Sequence, residues 1–292
     1  MDLFLQQLIN GLNVGSIYAL IAIGYTMVYG IIKLINFAHG EIMMFGAYFA
    51  FIFATSFGMP IWAVILVPMI IMALAGVAVE FIAYRPLRDA PRLSALITAI
   101  GVSLFLQNLA LLIFKADPKV MPKLFPETII NLGGVEISST TLVTIGLSLF
   151  FMVLLDLYIR KTKQGRAVRA VSEDKDAAIL MGINVDRTIS LTFAMGSALG
   201  ALGGILYSVA YVQVFPTMGV MPGLKAFIAA VLGGIGIIPG AMLGGFIIGM
   251  VETMTKAYLS TTWADAIVYI ILILVLLFKP TGILGKNTRE KV

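Results

Sequence analysis

Apolar residues fall along this chain in long runs: about Gln6–Ile31, Ile35–Phe57, Ile61–Tyr84, Leu93–Phe114, Thr140–Ile159, Thr188–Tyr211, a glycine-interrupted stretch Pro222–Leu259, and Ala264–Phe278. Each is of the length at which a helix crosses a hydrocarbon core, about 20 residues, and none shows the short alternating pattern of a membrane β-barrel. The expected fold class is therefore an all-α polytopic membrane protein, one domain over residues 1–292. Polar residues gather between the runs. The longest charged interval is Arg160–Arg187, RKTKQGRAVRAVSEDKDAAILMGINVDR, basic at its start and acidic in its middle. It has to lie in water while its flanks lie in lipid. Within it Ser172 is a good N-cap, Glu173 and Asp174 suit a first turn, and Gly182 suits the left-handed residue that closes a helix. This predicts a short surface helix, Glu173–Met181, with Glu173, Asp174 and Asp176 on its polar edge and Ala177, Ala178, Leu180 and Met181 as small or apolar contact area. A helix held at the membrane surface in this way is a handle for another protein.

Charge placement gives an orientation. Every arginine lies in the RPLRDAPR loop (Arg85, Arg88, Arg92), the 160–187 interval (Arg160, Arg166, Arg169, Arg187) or the C-terminal tail (Arg289), and the positive-inside bias makes all three cytoplasmic. The loop 115–139 then lies outside, with the N-terminus beside it. Parity constrains the glycine-rich stretch. After Thr188 the chain goes out, and it has to finish inside, so an odd number of crossings is needed. A break at Gly233-Gly234-Ile235-Gly236 and Pro239-Gly240 would supply a short descending piece and a second helix, giving nine membrane segments, or eight if the short piece is re-entrant.

Composition agrees with the runs. At 60% hydrophobic and 12% charged, with mean hydropathy +1.02, the 292 residues hold too little polar surface for a soluble globule. The net charge of +5 sits in short loops, where orientation explains it better than a nucleic-acid partner. The first run begins behind Asp2 without a basic leader and is expected to be a span rather than a removable signal. One histidine and no cysteine leave too few soft ligands for a metal site.

The histidine lies in a second irregular place, Ile35-Asn36-Phe37-Ala38-His39-Gly40-Glu41. Asn36, His39, Gly40 and Glu41 read either as a broken helix end lining a translocation path or as an interfacial turn that caps two helices. Gly233, Gly234, Gly236 and Pro239 join the path under the first reading. The small-residue stretch Met195–Gly204 suits close helix packing and also a path for a small solute. Glu80, Asp156, Glu252 and Asp265 fall near predicted helix ends, where they can face water, and Glu80 is within reach of Arg85, about one and a half turns later, for a structural pairing.

Three strings carry a family resemblance: GLNVGSIYALIAIGYTMVYGIIKLINFAHGE, KAFIAAVLGGIGIIPGAMLGG and KPTGILG. They resemble the LivH kind of membrane permease from bacterial high-affinity branched-chain amino acid ABC importers, over nearly the whole chain. That family implies the permease fold of an ABC importer in the bacterial inner membrane, working by alternating access on leucine, isoleucine or valine. It also implies a second homologous permease, two cytoplasmic ATPase subunits that use ATP and magnesium, and a periplasmic substrate-binding protein. The chain itself would be no enzyme and bind no cofactor. The 160–187 interval resembles the coupling loop of such permeases, Glu-Ala-Ala, three residues, then Gly, here Asp176-Ala177-Ala178 and Gly182. Asp176 stands where the pattern has Glu, and Thr192-Phe193-Ala194-Met195 replaces the downstream Ile-x-Leu-Pro. Consistent with a separate ATPase, no G-x-x-x-x-G-K-[ST] phosphate loop occurs. Loop 115–139, with Lys119 and Lys123, and the 211–221 turn are the expected contacts of the binding protein. The alternatives are a permease for amides or urea, an ion-coupled secondary transporter, which would need carboxylates deep in several spans, and a membrane-embedded enzyme, which would need a cluster of catalytic partners.

Overall fold

The structure is a computed structural model that describes residues 2–88, 90–132 and 134–285; the basic tail positions Lys286, Arg289 and Lys291 lie outside them. Eleven α-helices are found among the described residues. They are α1 Asp2–Ile32, α2 His39–Thr55, α3 Ile61–Val79, α4 Arg92–Phe114, α5 Ser139–Lys161, α6 Lys163–Glu173, α7 Lys175–Leu180, α8 Val185–Tyr211, α9 Val220–Gly233, α10 Ile238–Tyr258 and α11 Thr261–Phe278. Seven are long and apolar enough to cross a membrane, and the shorter α2 and α9 complete the set of eight to nine segments expected. The break in the glycine-rich stretch falls where the sequence places it, between α9 and α10, with Gly234 at φ +110° and Gly236 at φ +92°.

Helix α1 is the central pillar. It is buried along most of its length and packs against α10, α8, α5 and α9. Its closest neighbour is α10, because glycines face each other on both helices. A Cβ at Gly249 would stand 2.3 Å from the Cα of Gly15, and one at Gly245 would stand 2.3 Å from the Cα of Ala19. Small residues let backbones approach where lipid supplies no hydrophobic drive between helices. The stretch Met195–Gly204 on α8 is used in the same way, with Gly203 against Ile21 of α1 and Gly204 against the carbonyl of Met43 on α2. A second apolar cluster joins α2 to α4, where Tyr48 and Phe114 stack at 3.9 Å. Helices α4 and α11 turn most of their apolar side chains outward, a surface suited to lipid.

The two ends of the bundle differ. At one end β1 Lys119–Val120 pairs with β4 Gln213–Val214, and β2 Ile129–Leu132 forms a hairpin with β3 Val135–Ser138, Ile130 opposite Ile137. The Gln6 side chain accepts from the Glu136 N–H and donates to its carbonyl, both at 2.9 Å, so the N-terminal turn and the 115–139 loop share this end. At the other end lie the loop between α3 and α4, helices α6 and α7, and the segment after α11. That segment has a structural task. The Ile283 and Leu284 N–H groups donate to the carbonyls of Leu232 and Gly233, at 2.8 and 3.1 Å, and so satisfy the last acceptors of α9.

Candidate functional site

Helix α2 does not start at Ile35, where its apolar run begins. The chain leaves α1 at Ile32, turns at Lys33 with φ +55°, and runs without helix to His39. His39 then packs against Gly24 of α1 and Gly200 of α8; a Cβ at Gly24 would fall 2.4 Å from its Nε2. Gly24 precedes Ile32 by eight residues, about 12 Å along a helix. The connection therefore climbs back into the bundle, and α2 begins inside it. Helix α2 thus starts inside the bundle and not at its surface.

The polar groups here are buried and diverge. Asn36 Oδ1 accepts from the Tyr84 hydroxyl at 3.0 Å, and the Asn36 carbonyl accepts from the His39 N–H at 3.1 Å. The His39 ring meets Tyr25 edge-on at 4.6 Å. Glu41 faces α4, where its Oε1 accepts from Ser103 at 3.3 Å. Gly40 lies on the turn before α9, a Cβ there falling 2.5 Å from the Gly219 carbonyl. No hydrogen bond joins His39 to Glu41 among the described residues. Asn36 Nδ2, His39 Nε2 and Glu41 Oε2 are all buried without a hydrogen-bond partner. Such groups are unfavourable in a dry interior, and the start of α2 leaves a carboxamide donor, an imidazole nitrogen and a carboxylate oxygen unpaired inside the bundle. Gly233, Gly234, Gly236 and Pro239 sit apart from this cluster, toward the end of α1, with Gly236 beside Gly30.

The charged interval folds as two helices rather than one. Thr162 caps α6 by accepting from the Gly165 N–H at 3.0 Å, and Val168 and Val171 bury its inner face. Ser172 is consequently not a cap: it lies in the last turn of α6 and donates to the Arg169 carbonyl at 2.8 Å. Asp174 caps α7, its Oδ1 accepting from the N–H groups of Asp176 and Ala177 at 2.9 and 3.0 Å. The helix expected at Glu173–Met181 is thus shorter, Lys175–Leu180, and Glu173 ends the helix before it. Ala178 turns inward and is no part of an exposed contact face. Gly182 closes α7 at φ +78°, as its position predicts. Ile179, Leu180 and Met181 stand in solvent, Leu180 at 88% exposure and Met181 at 81%.

Two charged networks were missed by sequence reasoning. Glu80 is fully buried and pairs with Arg88, not with Arg85, which instead joins Arg88 on Asp186. The Glu80–Arg85 expectation took the nearest basic residue, but the helix widens after Val79 and turns Arg85 away. Glu252 does not face water. It is buried and accepts from Lys225 at 2.8 Å, from Tyr18 at 2.8 Å and from Lys256, while Asp265 meets Lys225 at 2.7 Å. The signal for this cluster was Lys225 itself, a lone lysine inside an apolar run, which by rule seeks a carboxylate on a neighbouring helix.

Comparison with known proteins adds to this geometry. A family model described as branched-chain amino acid transport system / permease component matches residues 7–276. The chain is 48% identical to the high-affinity branched-chain amino acid transport system permease protein LivH of Escherichia coli K12, over 99% of this chain and 98% of the other. It is 46% identical to the permease protein BraD of Pseudomonas aeruginosa, with the same coverage. Its fold is shared with a solved metal-chelate type ABC transporter in an inward-facing conformation, at TM-score 0.50 and 16% identity over 95% of this chain and 88% of that one.

Proposed function

The chain belongs to the branched-chain amino acid transport permease family, and from that membership we propose that it carries leucine, isoleucine and valine across the bacterial inner membrane as one permease subunit of an ATP-driven importer. A second permease, two ATPase subunits and a periplasmic binding protein complete the assembly in this reading. The chain has no phosphate loop of its own, so energy arrives by contact. Helix α7 is the contact. The observation that carries this is its tip: an apolar Leu180–Met181 pair, 88% and 81% exposed, on a capped helix with acids at its base. A side chain of this kind is stabilised by about 1.5–3 kcal/mol when a partner groove removes it from water. The hairpin end, with Lys119 and Lys123, faces the binding protein, and α7 faces the cytoplasm.

The start of α2 supplies the polar part of the path. A branched-chain amino acid is a zwitterion with an apolar tail, and Asn36, His39 and Glu41 offer weak, separated partners rather than a fixed charge pair that would trap it. Alternating access then amounts to opening this buried cluster to one side and then the other as the ATPases close. The test of the energy contact is co-purification of ATPase subunits with the permease carrying Leu180→Asp. Loss of the ATPases from a correctly inserted permease is expected. Unchanged association would contradict the assignment of α7.

A further inference from the structure

The basic loop between α3 and α4 does more than orient the chain. Helix α3 ends in a π turn, Glu80–Tyr84, and a 3₁₀ turn, Arg85–Leu87. A π turn widens a helix locally and recurs at functional sites. This one buries Glu80 and Tyr84 while Phe81 and Ile82 point outward. Glu80 divides its oxygens: Oε1 accepts from Arg88 Nη2, and Oε2 from the Ser190 hydroxyl at 2.6 Å. Arg88 spends its other terminal nitrogen, Nη1, on Asp186, in the first turn of α8. Asp186 follows α7 closely: the Ile183 N–H donates to the Ala178 carbonyl at 3.0 Å and closes α7 two residues before α8 begins. On the other side of the π turn, the Tyr84 hydroxyl reaches Asn36, whose carbonyl holds the first N–H of α2.

Side-chain bonds thus run from the α7–α8 corner through Asp186 and Arg88 to Glu80, the backbone of the π turn, closed by the Arg85 N–H on the Glu80 carbonyl, spans the step to Tyr84, and Tyr84 bonds Asn36 at the buried start of α2. We infer that Arg88 is a positioning residue for transport, tying movement of the α7–α8 corner to the polar cluster at Asn36 and His39. Charge bias explains a cation in this loop but not a guanidinium whose two ends meet carboxylates on different helices, a geometry that lysine cannot reproduce. Stability does not explain it either. A buried ion pair is commonly no more stabilising than apolar side chains of the same volume. The line joins a half-exposed group, Asp186, to a fully buried one, Glu80, which is the arrangement a transmitter needs.

The proposal rests on α7 being the ATPase contact, and spatial continuity alone does not establish coupling. The decisive experiment is a double-mutant cycle in proteoliposomes holding the complete importer, reading leucine taken up per ATP hydrolysed. Asp186→Asn cuts the line at its exposed end. Tyr84→Phe cuts it at its buried end and keeps the ring packed on Phe193 at 5.3 Å. Each is expected to lower the ratio by about tenfold, within the range for residues coupled through a shared backbone element, and the double variant to be no worse than either single. Asp186→Glu should restore most of the ratio, and Arg88→Lys should not. The inference is overturned if the two losses multiply, if the singles leave the ratio unchanged, or if uptake and ATP hydrolysis fall together with thermal stability. Failure of the α7 assignment reads differently: Leu180→Asp would then keep its ATPases, while the Asp186–Tyr84 cycle would still report whether α8 and α2 are coupled.

Discussion

Replacing Lys225 by methionine isolates the energetics of the buried charge cluster. The lysine side chain is 7% exposed and lies between Glu252 and Asp265, at 2.8 and 2.7 Å. Breaking a buried ion pair by removing one partner costs about 3–5 kcal/mol when the other charge is left alone. Glu252 is not left alone, because Lys256 reaches it from the surface and Tyr18 donates at 2.8 Å. These partners bring the expected loss to about 2–3 kcal/mol. Removing both charges, with Lys225→Met and Glu252→Gln, keeps an acceptor for the buried Tyr18 hydroxyl, leaves Asp265 partly exposed to water, and should return stability to within about 1 kcal/mol of the native chain. Thermal or denaturant unfolding of the purified protein in detergent, followed by tyrosine and tryptophan fluorescence, reads both. A single variant as stable as the native chain, or a double variant less stable than the single, would refute the account of this cluster.

Four other outcomes are expected. Gly249→Val should prevent accumulation of folded protein, since its Cβ would stand 2.3 Å from the Gly15 backbone, whereas Gly101→Val, with nothing within 4 Å, should be tolerated; expression and size-exclusion profiles compare them. Gly234→Ala, at φ +110°, should lose about 1–3 kcal/mol through backbone strain and loosen the α9–α10 break, seen as faster proteolysis there. His39→Ala should lower leucine uptake while the assembly stays intact, and Lys119→Glu with Lys123→Glu should weaken stimulation of ATP hydrolysis by the binding protein.

The spans were legible because each is long, apolar and bounded by polar loops, and lipid leaves helices few other ways to satisfy their backbone. The break at Gly233–Gly236 was legible from parity and from the glycines together. What the sequence hid was mostly competition between neighbours. Ser172 is a good cap in isolation, but Thr162 starts a helix earlier, and burial of Val168 and Val171 carries it through Ser172, which hands the next cap to Asp174. The run from Ile35 looks like one span because apolar content does not distinguish helix from buried extended chain. His39 starts α2 where Gly24 and Gly200, lacking side chains, leave room for its imidazole. The charge networks were hidden for a different reason. Lys225, Glu252 and Asp265 sit on three helices, and Arg88 and Asp186 are 98 residues apart, so no local pattern joins them. The Leu180–Met181 tip was visible in the sequence as contact area, though the inward turn of Ala178 was not.

The central claim, that this permease moves branched-chain amino acids with energy received through α7, is tested most directly by uptake of labelled leucine into proteoliposomes holding the full importer, with ATP on the ATPase side. Accumulation above the external concentration is predicted with ATP, and none without it or with Leu180→Asp. Accumulation that proceeds without the ATPase subunits, driven by an ion or proton gradient, would contradict it.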